Sequence, residues 1–241
     1  LSAAQTELLI NAALSALGSV ATHRAAATGA LLTRVARTLL RAELPAPRPA
    51  TTTPAPARPA PRRELLLTEA IRLFHRLGYH AVGMEDIAQA AGMRASSVYR
   101  HYAGKGDLLA AAYYRATDRL TAATTEAVAG AAGPEDALGR AVRAYVAFAF
   151  GQGDLVAVYL AENNNLPADD RHRLRGAQRR HVEQWVDLLR RVRPGLTTAD
   201  ARVLTHAALN VVTDLGRLGR FDGTAGYDER TARLALAVLH A

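Results

Sequence analysis

The chain contains no cysteine. Disulfides, thiolate catalysis and cysteine-ligated zinc are therefore excluded. Lysine is nearly absent as well: Lys105 is the single one, and the other positive residues are arginines, as GC-rich coding favours. Aromatic residues make up only 5%, and alanine- and leucine-rich stretches stand in their place. That composition favours helices over sheet. No apolar run approaches the ~20 residues of a membrane helix, so no membrane partner is expected. No basic, apolar and small-residue stretches follow one another at the N-terminus, and a cytoplasmic location is expected. Walker A, G-x-S-x-G and G-x-G-x-x-G patterns are missing. None of the eight histidines forms H-E-x-x-H or an i, i+4 pair. Neither cofactor, metal site nor enzyme activity is expected.

What the chain does have is positive charge. Its formal net charge is +8 over 241 residues, and its pI is near 10.4. Such a balance suits a phosphate-rich partner. The length allows one or two domains. Proline is concentrated: seven of the ten lie between Pro45 and Arg62. Proline fixes φ and removes a backbone donor, so 45–62 reads as an extended linker.

The remainder reads as all-α. Leu66, Ala70, Leu73, Phe74 and Leu77 line one face of a helix that Gly78 stops. Further helices are expected over Lys105–Ala129, Pro134–Phe150, Asp154–Asn163, Ala168–Val192, Thr198–Leu218 and Asp228–His240. Pro134, Pro167 and Pro194 punctuate them. An internal echo accompanies this pattern. LSAAQTELLINAAL at Leu1–Leu14 aligns without a gap on LTTADARVLTHAAL at Leu196–Leu209. After a slightly different loop, Arg34, Ala36, Leu40 and Ala42 align on Arg233, Ala235, Leu239 and Ala241. Two helices alone bury too little to be stable, so 1–44 is expected to be a helical hairpin docked on a regulatory domain.

Residues 63–110 hold a helix-turn-helix pattern. Ile87 and Ala88 precede Ala91-Gly92-Met93, and Val98 follows. The small Ala88 lets a second helix cross closely, and Gly92 supplies the turn. Ile87, Met93 and Val98 pin the helices together. Arg94, Ala95, Ser96, Ser97, Tyr99 and Arg100 are left around the outside of a short helix that fits a major groove.

This segment resembles the DNA-binding domain of TetR-family transcriptional regulators. The likeness rests on LFHRLGY (Leu73–Tyr79), MEDIAQAAGM (Met84–Met93), SSVYRHY (Ser96–Tyr102) and GKGDLL (Gly104–Leu109). The repeated tail and proline linker also look like tandem TetR-like proteins of actinobacteria, with 1–44 as the remnant of a preceding unit. The resemblance implies a head at 63–112 and a helical effector-binding and dimerisation domain at 113–241. It implies that Arg94 to Ser97 approach base edges, while Tyr99, His101 and Lys105 hold phosphates. Lys105 directly follows Gly104, where helix-start N–H groups also favour an anion. Two positions depart from the family pattern: Val82-Gly83 replaces Thr-Ser, and Ala103-Gly104 replaces Pro-Ser. Lost hydroxyl caps cost up to ~2 kcal/mol each, less with glycine, and Arg62 and Arg63 are candidates to support binding.

The expected function is a ligand-responsive dimeric repressor on a near-palindromic double-stranded operator. The alternative is a helical ligand-binding or protein-interaction module with a weakened DNA head. An apolar pocket is expected from Tyr113, Tyr145, Phe148, Phe150 and Tyr159. Arg171, Arg173, Arg175, Arg179 and Arg180 form a solvated face or the rim for an acidic effector such as an acyl-coenzyme A. Glu162 beside three asparagines reads as a helix end. A homodimer seam is assigned to 172–192 and 198–218, with Trp185, Ala201, Leu204, Ala207, Ala208, Val211, Val212 and Leu215, because small side chains let helices approach closely.

Overall fold

The computed structural model describes residues 2–19, 29–46 and 61–241. Most of the proline-rich segment lies outside the described residues. Eleven α-helices and no strand are found among those described. They are α1 (Ala3–Gly18), α2 (Gly29–Leu40), α3 (Arg62–Leu77), α4 (Met84–Ala90), α5 (Ala95–Val98), α6 (Lys105–Ala129), α7 (Pro134–Gly151), α8 (Gly153–Ala161), α9 (Ala168–Val192), α10 (Thr198–Leu218) and α11 (Tyr227–His240). The helices expected from periodicity are present, with ends shifted by two residues or fewer.

Local chemistry fixes several of those ends. Ser2 caps α1 with a reciprocal box: its hydroxyl accepts the Gln5 N–H at 3.2 Å, and the Gln5 side chain accepts the Ser2 N–H at 2.9 Å. Gly78 ends α3 with φ +80°, and its N–H donates to the Phe74 carbonyl at 2.9 Å. Thr197 caps α10 by accepting the Asp200 N–H at 3.1 Å.

The helices form two compact units. One holds the N-terminal segment with residues 120–151 and 179–241, and the other holds the segment up to residue 119 with 152–178. A boundary at 112/113 is therefore not where the packing divides. α6 runs unbroken through it, and α8 packs on α3. The end of the motif marks the end of a recognisable pattern, whereas packing continues along the same helix.

In the first unit α10 and α11 pack together, and α7 lies against both. α1 packs on α2 and α10, and α2 packs on α11. Leu9, Ala12, Val35 and Leu39 are buried there, as are Leu204, Ala207, Val211, Leu234 and Val238.

Candidate nucleic-acid interface

In the second unit, α3 and α4 build a platform for the short α5. Leu66, Ala70 and Phe74 of α3 are buried, with Ile87 and Ala88 of α4 and Val98 of α5. The turn after α4 is a Schellman motif. The Met93 N–H donates to the Ala88 carbonyl at 2.8 Å, and the Gly92 N–H to the Gln89 carbonyl at 3.0 Å. Gly92 has φ +65°, the left-handed backbone that this motif requires and that a side chain would strain.

The turn projects α5 outward. Arg94, Ser96, Tyr99 and Arg100 are exposed, Ala95, Ser97 and His101 are half-buried, and Val98 is buried. Arg100 donates to the Ser97 hydroxyl at 3.0 Å. The residues expected to meet DNA from Arg94 to His101 thus lie on one short segment whose inward anchor is Val98.

Lys105 has a different place from the one expected. Its ammonium donates to the Tyr79 carbonyl at 2.7 Å and to the Val82 carbonyl at 2.9 Å. It also stands 4.4 Å from the centroid of the Tyr79 ring. Two of its three donors therefore hold the loop between α3 and α4, where helix-start geometry alone suggested a phosphate. Tyr79 is fixed from a second side, because its N–H donates to Glu162 at 3.1 Å. The other Glu162 oxygen accepts from the Asn165 amide at 2.7 Å. Nothing in the local sequence pairs positions 79, 82 and 105 with 162, so these loop supports had no signal.

At both family departures a downstream carboxylate holds the backbone. The Gly83 N–H donates to Asp86 at 2.7 Å, and the Ala103 N–H to Asp107 at 3.0 Å. Asp86 thus supplies the half of a capping box that needs no hydroxyl, while Asp107 ties down the residue before the α6 cap. Arg63 does not project freely. Its Nε donates to the Tyr102 hydroxyl at 3.3 Å, and its guanidinium lies 5.1 Å from that ring.

The five aromatics expected to form one pocket fall in different units. Tyr113 is buried, and its hydroxyl donates to the carbonyls of Val158 and Tyr159 at 3.1 and 2.7 Å. It stacks on Tyr159 at 4.6 Å. Burial pushes the pKa of both hydroxyls up, and Tyr113 ties α6 to α8. Tyr145, Phe148 and Phe150 belong to the other unit. Phe150 meets Phe221 and Tyr227, with centroids 6.2 and 6.1 Å away.

Tyr145 stands in a different cluster. Its ring lies 6.0 Å from His181 and 5.8 Å from Trp185. The ring nitrogens His181 Nε2 and Trp185 Nε1 are buried without a hydrogen-bond partner. Burial pushes the His181 pKa down to about 4, so the ring is neutral near pH 7. Buried polar atoms without partners are uncommon in native proteins and mark places where a polar group can be received. Trp185 itself is buried within a single chain.

The other assigned seam residues are buried within a single chain too. Ala201, Leu204, Ala207, Ala208, Val211, Val212 and Leu215 are each at most 1% exposed. α1 of the same chain covers part of α10. Arg171 donates to the carbonyls of Asn164 and Leu166 at 3.1 and 2.8 Å, so it caps the preceding turn. Arg179 and Arg180 are exposed.

Comparison with known proteins places these features. Residues 66–112 match the model of bacterial regulatory proteins of the tetR family. Residues 131–241 match the tetracyclin repressor-like C-terminal domain. Together the two matches cover more than half of the chain, in the order head then regulatory domain, and the protein belongs to the TetR family of transcriptional regulators.

A curated relative is the HTH-type transcriptional activator FasR of Mycolicibacterium smegmatis, 34% identical over 87 residues, which are 36% of this chain and 40% of that protein. The match thus spans less than half of that relative's length. The TetR-family regulator PfmR of Thermus thermophilus has a similar structure, with TM-score 0.65 and 26% identity, covering 73% of this chain and 97% of that one. AibR, solved with isovaleryl coenzyme A and operator DNA, has TM-score 0.61 and 22% identity, covering 71% of this chain and 94% of that one. At that identity the likeness is one of fold.

Proposed function

We propose that the protein is a transcriptional regulator that reads operator DNA through α5 and releases or engages it in response to an amphipathic acyl-coenzyme A. The observation that carries the DNA reading is the α4–turn–α5 geometry, with Gly92 left-handed and Arg94, Ser96, Tyr99 and Arg100 exposed together. In this reading Arg94 and Ser96 meet base edges, while Tyr99, Arg100 and His101 offer donors to phosphate.

The effector reading rests on the Tyr145–His181–Trp185 cluster. Its two orphan nitrogens can serve the carbonyl end of an acyl group, and Arg179 and Arg180 on the same helix suit phosphates. AibR, a fold neighbour, was solved with isovaleryl coenzyme A. Operator occupancy can block or recruit polymerase according to where the operator lies, so ligand-controlled occupancy is the molecular act proposed.

Electrophoretic mobility and anisotropy measurements on promoter fragments from the native locus test this reading. Binding should be sequence-dependent and should fall steeply with salt. Trp185 is the only tryptophan, so its fluorescence reports on the effector cluster directly. Isovaleryl coenzyme A should change that emission and the DNA affinity together, while free coenzyme A should not. No binding to any such fragment, or binding indifferent to salt, overturns the DNA reading.

A further inference from the structure

The hairpin formed by α1 and α2 repeats α10 and α11 in more than sequence. Aligned by the internal echo, Leu9, Ala12, Ala13 and Ala16 of α1 fall on Leu204, Ala207, Ala208 and Val211 of α10, and all eight are buried. Val35, Ala36 and Leu39 of α2 fall on Leu234, Ala235 and Val238 of α11, and these are buried too. Packing is reciprocal: α1 lies on α2 as α10 lies on α11, while α1 meets α10 and α2 meets α11. That is the pattern of a two-fold bundle, in which each element meets its own counterpart.

One polar contact joins the two helices directly: the Ser15 hydroxyl donates to Asp214 at 2.6 Å.

The differences are as informative. Ile10, Leu14, Leu17 and Leu40 are 45, 59, 41 and 48% exposed. Their counterparts are Thr205, Leu209, Val212 and Leu239, of which Thr205, Val212 and Leu239 are buried. α10 and α11 have α7 against them, and no helix stands in that place beside α1 and α2 among the described residues. On the side that faces α10 and α11 the hairpin thus keeps the buried apolar pattern of its counterpart.

We infer that α1–α2 is an internal copy of α10–α11 that occupies, within the same chain, the helical surface a second subunit would otherwise take. The chain is thus self-paired, and its α10 is closed to the α10 of another copy. This replaces the homodimer seam expected from the apolar face of 198–218. The inference concerns assembly and does not rest on the effector reading.

The absence of native cysteine makes a clean test available. In the full chain, Ser15→Cys with Asp214→Cys places two thiols across the α1–α10 contact. A short bismaleimide should link them within one chain, with a yield independent of protein concentration and a product that remains one chain in mass. The single variant Ala207→Cys should give no linked dimer, whereas an α10–α10 seam would bring the two thiols together. Where either variant perturbs folding, the unmodified chain still decides: analytical ultracentrifugation should give a 25.7 kDa species at micromolar concentration. A dimer linked through the thiol introduced at position 207, or isotope-mixed samples in which the 15–214 link joins two copies, overturns the inference. A concentration-dependent dimer of the unmodified chain that unseating the hairpin with Ala12→Arg leaves unchanged also overturns it.

Discussion

Lys105→Met separates two roles that this residue can have. Methionine keeps an apolar stem against Tyr79 but removes the charge and all three donors. The native ammonium donates to the carbonyls of Tyr79 and Val82. A hydrogen bond from a charged group contributes about 1.5–3 kcal/mol, and a cation over an aromatic ring about 0.5–1 kcal/mol when exposed. Lys105 is only half-buried, so water can replace part of both contacts. The net loss should be roughly 2–3 kcal/mol, below the ~3.5 kcal/mol at which the sum starts. For a chain of this size that corresponds to a fall of about 5–10 °C in Tm.

The DNA measurement supplies the contrast. Each phosphate neutralised contributes about 0.9 to the slope of log K against log salt. A lysine committed to the loop contributes little of that slope, so the variant should bind with the wild-type slope. Calorimetry and a salt titration of operator binding, made on the same preparations, decide the matter. Unchanged Tm with a slope reduced by about one would refute the loop role and return Lys105 to the phosphate.

Three further changes have directions set by the structure. Burial holds the His181 pKa down to about 4, below the ~6.5 of a free imidazole. The unfolded chain therefore takes up this proton first, and the His181 share of stability is full above about pH 6.5 and lost as pH falls toward 4. Urea unfolding of His181→Gln should show a weaker loss across that window, by up to roughly 3 kcal/mol. Gly216→Ala should destabilise by about 1–3 kcal/mol, because the added Cβ would lie 2.5 Å from the Phe221 ring; unchanged urea unfolding would refute that clash. Arg220 has φ +52°, so Arg220→Gly should raise stability by about 0.5–1 kcal/mol, read as a higher urea midpoint.

The head was legible because its signals are local. Ala88, Gly92 and Val98 lie within eleven consecutive positions, and each is constrained by the turn it forms. Helix ends such as Ala168–Val192 were likewise set by nearby punctuation. Long-range partners were not legible. Lys105 beside Gly104 is compatible with anion binding in sequence, and only the approach of the 79 and 82 carbonyls commits its ammonium elsewhere. The aromatics misled for a related reason. Tyr113 and Tyr145 both sit on apolar helix faces, but periodicity does not say that one stacks on Tyr159 while the other meets His181 and Trp185.

The face of α10 shows the same limit and also why a tether matters. Its periodicity states that Ala201, Leu204, Ala207 and Ala208 must be buried. It does not state against which helix, since α1 and a second α10 present nearly the same small-residue surface. Concentration decides between two such similar partners. A segment tethered in the same chain, by a linker that spans the two sites, has an effective concentration up to about the millimolar range. A free second copy at micromolar concentration is then outcompeted by about a thousandfold even when its intrinsic affinity is equal. The linker at 45–62 has only to span the distance between the two elements, and the repeated register of α1–α2 supplies the fit.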